Sequence, residues 1–136
     1  DRFGDQVYVD AEENILGEVE LYLGAAADLS FERAMDEVHA RGGLFIPAHI
    51  DREMYGVLNQ LGFLPEGQYD ALEISRHAVR RNAIPVTPDG IPLVTGSDAH
   101  YLDDLGVAVN LLGGGSSGVT DLLQALREEV KFEISG

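Results

Sequence analysis

Two short, almost wholly apolar runs constrain this chain most: Leu-Phe-Ile-Pro-Ala-His-Ile at 44–50 and Ile-Pro-Leu-Val-Thr at 91–95. Each is too short for a core helix and lies beside glycine or proline, so each reads as a strand buried on both faces, the pattern of parallel sheets. Pro47 cannot donate to a ladder, so the first strand is expected to end there. The segments between and around them have helical spacing. Ile15, Leu16, Val19 and Leu23 recur at three- and four-residue intervals and predict a helix after a short strand at 6–9. Ser30 predicts the N-cap of a second helix, with Glu32 in its first turn, Ala34, Met35 and Val38 along it and a stop at Gly42-Gly43. Further helices are expected at 52–61, 78–82 and 120–129, and further strands at 71–74, 107–112 and 131–135. Pro85, Pro88 and Gly90 mark a loop. The alternation predicts an α/β fold of βα units on mostly parallel strands with flanking helices, with residues 1–136 as a single domain and no internal repeat.

Composition narrows the function classes. Asp and Glu number 24 against 9 Lys and Arg, a formal charge of −15. That balance opposes a general binder of nucleic-acid backbone, which needs clustered cations, and suits divalent metal ions. The absence of cysteine removes disulfides, thiolate zinc sites and thiol nucleophiles. No apolar run approaches membrane-spanning length, and residues 1–5 carry no signal-peptide pattern, so a cytoplasmic protein without membrane partners is expected. Asp1 is not an initiator, and the chain reads as a piece of something longer.

In parallel α/β architectures, ligands collect where the strands end. His49 follows the first apolar run, and Asp98 and His100 follow the second. An Asp-x-His spacing can send a carboxylate and an imidazole to the same side, a donor mixture that suits Zn, Mn or Fe. The residues by themselves leave a second reading open. A strand-end histidine also serves as an ordinary hydrogen-bonded polar group, and Asp in Ser-Asp-Ala-His is a common turn residue.

The longer motifs carry a resemblance. Residues 42–52, Gly-Gly-Leu-Phe-Ile-Pro-Ala-His-Ile-Asp-Arg, resemble the glycine-pair, apolar strand and Ala-His-x-x-Arg segment of the PHP (polymerase and histidinol phosphatase) domain family of metal-dependent phosphoesterases. Residues 70–74, Asp-Ala-Leu-Glu-Ile, look like its next strand, and Gly96-Ser97-Asp98-Ala99-His100 looks like its final Ser-Asp-Ala-His motif. The resemblance covers about residues 30–112. It implies the C-terminal part of a distorted (β/α)7 barrel, with a multinuclear metal centre in the intact protein and a substrate that is a phosphorylated small molecule or short oligonucleotide. Carried over by position, His49, Asp98 and His100 would be metal ligands, and Arg52 would contact substrate phosphate. Ile50 stands where many relatives have proline. The family's opening His-x-His motif is absent, since the histidines are His39, His49, His77 and His100. The expectation is therefore a C-terminal portion, inactive alone, of an enzyme that hydrolyses phosphate mono- or diesters. Its rival is a non-catalytic, PHP-derived module for interaction or assembly, forming homo-oligomers or pairing through exposed strand edges.

Other features are weighed by the same logic. Glu73 is either an orienting group behind the ligands or a paired carboxylate in the sheet wall. His39, near a helix C-terminus, reads as structural. His77 follows the Glu73 strand and could face the same cavity. Arg76, Arg80 and Arg81 supply three of the nine cations, either on a solvated helix face or against an anionic ligand. Residues 113–118 fit Gly-x-Gly-x-x-Gly, with Glu133 at the spacing of a ribose-binding acid. A dinucleotide reading lacks a second mononucleotide half, and a surface loop is the expectation.

Overall fold

A computed structural model describes residues 4–111, 125–126 and 131–134. The chain falls into two compact units, Asp1–Ser30 and Phe31–Gly136.

In the first unit, β1 (Val7–Val9) pairs antiparallel with β2 (Ile15–Glu18), with an irregularity between Tyr8 and Val9. The helix expected over 15–23 is not formed, and two side chains account for this. The Asp10 carboxylate accepts from the backbone N–H groups of Glu12 and Asn14 and from the Asn14 amide, which closes a turn where the helix would have started. The Asn14 amide, first among these donors, holds the Asp10 carboxyl below its ordinary value. The Gln6 side chain then donates to the carbonyls of Val19 and Leu21 and accepts from the N–H of Leu23. Contacts at residues 19, 21 and 23 hold a stretch that bends at Leu21 and turns at Leu23, and a helix would scatter them around its circumference.

The second unit opens with α1 (Phe31–Ala40), as expected. Gly42, at φ 72°, takes the left-handed conformation that ends it; the Gly43 N–H reaches the Val38 carbonyl and the Gly42 N–H reaches that of His39. This pair of bonds satisfies carbonyls that the helix end would otherwise leave open. Residues 44–50 then run alongside β3 (Leu72–Ser75), with Asp70 N–H donating to Phe45 O, Glu73 N–H to Pro47 O and Ile50 N–H to Glu73 O. This is a correction to the strand expected to be buried on both faces. Pro47 has no N–H, His49 turns to φ 30°, and Ala48 is exposed while Pro47 and Ile50 are buried, so no regular ladder forms.

The helix expected over 52–61 is confined to α2 (Val57–Leu61). The preceding residues are used in a turn that bonds Arg52 N–H to His49 O and Gly56 N–H to Arg52 O. The next helix, α3 (Arg76–Arg80), starts two residues earlier than the spacing suggests, because the Ser75 hydroxyl at the end of β3 accepts from Ala78 N–H and caps it. β3 pairs in parallel with β4 (Leu93–Gly96), Ser75 opposite Gly96. Ile50, Leu72, Ile74 and Ala78 form the buried cluster beneath this pair.

A single 3-10 turn (Leu102–Asp104) leads to β5 (Ala108–Leu111), which pairs antiparallel with β6 (Lys131–Ile134). β5 also lies beside β4 through side chains. The Asn110 amide accepts from Thr95 N–H at 2.8 Å and donates to Thr95 O at 2.7 Å, while the Ser97 hydroxyl bonds both the N–H and the carbonyl of Ala108. The class is α/β with one parallel strand pair; the other two described pairs are antiparallel, and the described residues form no closed barrel. The glycine loop at 113–118 lies outside the described residues. So does the helix expected at 120–129, apart from Ala125 and Leu126, which are helical and buried. No described helix is long and apolar enough to cross a membrane.

Candidate functional site

Parallel pairing sets the ends of β3 and β4 side by side, and the chain leaving each structure near them carries polar groups. His49 (φ 30°) and Asp98 (φ 46°) both sit in left-handed backbone that non-glycine residues rarely adopt. Conformations of this kind cost of order 1–3 kcal/mol each and persist where surrounding structure enforces them, often at functional sites.

The Arg52 guanidinium donates to Asp98 Oδ2 across 46 residues of sequence. His100 Nε2 lies 3.5 Å from Asp98 Oδ1, but the His100 side chain is 74% exposed. Glu73 stands on β3, and a Cβ on Gly96 would lie 3.1 Å from Glu73 Oε1, so glycine there leaves the carboxylate its room. Burial pushes the Glu73 carboxyl above its ordinary value. The nearby His49 charge and backbone N–H pull it down, and the Asp98 and Asp51 charges push it up. His49 Nδ1 is buried and has no hydrogen-bond partner among the described residues.

Sequence reasoning passed over Asp51 and Asp104. Asp51 accepts from Ser75 N–H at 2.7 Å and from the Ser75 hydroxyl at 2.5 Å, which ties the turn after His49 to the end of β3. Its signal was present, because His49-Ile50-Asp51 has the two-residue spacing of Asp98-Ala99-His100. Asp104 Oδ1 accepts both terminal nitrogens of Arg76, at 3.0 and 3.1 Å, and its Oδ2 receives the N–H groups of His100 and Tyr101. The Arg76 guanidinium, the main cause, holds the Asp104 carboxyl below its ordinary value against a smaller effect of desolvation.

A cleft of about 430 Å³ opens beside these groups, lined by Arg52, Arg81, His77 and Ser75 among others. His77, set apart in the sequence as a strand-end histidine, thus faces the same space as Arg52. His39 does not: its Nε2 lies 2.8 Å from Asp70 Oδ2, an oxygen that also accepts from Phe45 N–H, so it ties α1 to the approach to β3.

Among the described residues no group of three or more His, Asp or Glu side chains is placed to hold a metal ion. Asp98 is engaged by a guanidinium, and His100 turns largely to solvent.

Residues 88–130, which include Asp98 and His100, match the family model described as PHP-associated. This stretch is similar to the C-terminal region associated with PHP domains. It takes in β4, the segment carrying Asp98 and His100, and β5, and it stops one residue before β6. His49, Arg52 and Glu73 lie upstream of the PHP-associated match. Comparisons with curated proteins and with solved structures give no significant match.

Proposed function

We propose that this chain is the C-terminal portion of a PHP-type phosphoesterase, a distorted (β/α)7 barrel that hydrolyses phosphate mono- or diesters in the intact protein. The observation that carries the reading is the meeting of Arg52, in the turn after residues 44–50, with Asp98, just past the end of β4, inside a chain with a PHP-associated region. Arg52, which lines the cleft, offers a planar donor fork to a phosphoryl group, and His77 and Arg81 add donors to the same lining. His49, Asp98 and His100 are the chain's contribution to a set of metal donors completed elsewhere in the protein, and Glu73 orients that contribution from behind. A bound divalent cation would supply Lewis acidity and a more acidic water.

The test is hydrolysis of 4-nitrophenyl phosphate and its bis-ester by the full-length protein, with and without added Mn or Zn, beside elemental analysis of the purified protein. Metal-dependent turnover that falls about 10–100-fold in Glu73→Gln supports the reading. A full-length protein that carries no metal and hydrolyses neither ester overturns it, in favour of a non-catalytic interaction module.

A further inference from the structure

The hairpin of the first unit has no core of its own. None of residues 4–30 is buried, and Val7, Val9 and Ile15 are 45%, 48% and 68% exposed. A lone two-stranded hairpin is marginal in water, and a third strand is what such a pair lacks. We propose that the outer edge of β1 takes up an extended segment of another protein, one with an apolar centre and Lys or Arg at its flanks. Such an arm lies within the first unit and would serve with or without phosphoesterase chemistry elsewhere in the chain.

Register leaves that edge open. Val19 N–H donates to Gln6 O, so Gln6 with Val19 and Tyr8 with Gly17 are the hydrogen-bonded pairs. Val7, opposite Glu18 between them, therefore turns its N–H and C=O away from β2. Among the described residues β1 pairs with β2 alone. Edge strands are ordinarily guarded by a charge, a proline or a covering element. β1 is Val-Tyr-Val and carries neither charge nor proline. Charge then selects the occupant. Asp5 and Asp10 bracket β1, Glu18 stands opposite Val7, and residues 4–30 contain no Lys or Arg. A second copy would set these carboxylates against their own kind, whereas a strand with basic flanks meets them with opposite charge. Main-chain bonds along the edge supply affinity, and the flanking charges supply the choice of partner.

The test is fluorescence anisotropy of a labelled peptide, Lys-Lys-Val-Thr-Val-Lys-Lys, titrated with the full-length protein. Replacing the central Thr by Pro keeps the charge but spoils the ladder, and should weaken binding about tenfold. Replacing the lysines by glutamates should abolish it. On the protein, Val7→Pro removes an N–H that β2 does not use, so the hairpin stays and peptide affinity falls about tenfold. Val7→Lys adds the usual edge guard and should give a similar loss by repulsion, whether or not Val7→Pro folds. Equal binding of the Thr and Pro peptides would reduce the attraction to unspecific charge and overturn the proposal. No binding of the Thr peptide would overturn it too, since the edge is then covered within the full-length protein. Self-association in sedimentation that Val7→Lys abolishes would make a second copy the occupant and overturn it as well.

Discussion

Burial holds the Glu73 carboxyl above its ordinary value of 4.5, and neighbouring Asp98 and Asp51 add to the cost of ionising it. A group shifted upward contributes its stability in full below the unfolded value, and that contribution is lost as pH rises through the folded value. Glu73→Gln, which never ionises, should therefore gain in melting temperature relative to wild type as pH rises from about 4 to about 7. A gap that stays constant across that range would show that the carboxylate is not strained by its surroundings. Asp104 behaves oppositely. Held below 3.8 chiefly by Arg76, it contributes stability above its ordinary value that is lost as pH falls through the lowered one. Asp104→Asn should lower the melting temperature at neutral pH, and the difference should close as pH falls below 3.8 and through the lowered value. The two variants give pH profiles of opposite slope, measurable in one series of thermal melts.

At the scale of elements, Ser75 joins three pieces. It ends β3, caps α3 through Ala78 and holds Asp51 with both its N–H and its hydroxyl. Ser75→Ala should cost about 2–4 kcal/mol in urea unfolding, from the lost cap and one lost bond to a charged oxygen. It should also loosen the turn that presents Arg52. Such junctions explain what the sequence could and could not announce. β3, β4 and α1 were legible because apolar run length and a glycine stop report local conformation directly. The hairpin at 7–18 was not, because Ile15 and Leu16 fit helical spacing and only the long reach of Gln6 to residues 19–23 decides between the two forms. Residues 44–50 were right in direction and wrong in regularity, since a backbone as unusual as that of His49 leaves no mark on hydropathy. For the candidate site, the motifs singled out His49, Arg52, Asp98 and His100. They could not reveal that Arg52 would bond Asp98, which depends on side chains meeting 46 residues apart.

For the molecule as a whole, 24 acidic side chains against 9 basic ones leave unbalanced repulsion that the described ion pairs only partly relieve. Salt screens such repulsion over about 10 Å at 0.1 M. The melting temperature should therefore rise between low and moderate sodium chloride at neutral pH; a fall would mean that the paired charges outweigh the unpaired ones.

The side-chain bonds between β4 and β5 have a further consequence. Thr95 with Asn110 and Ser97 with Ala108 form two rungs that pin the neck of residues 98–107, the segment bearing Asp98 and His100. With its base fixed, that segment behaves as a cassette. Residues inserted near its exposed crown, at Tyr101 or Leu102, would change how far it reaches while the neck stays where it is, because extra length in a loop of fixed ends adds little closure entropy. Variation there can retune what the site meets without renegotiating the sheet that carries it.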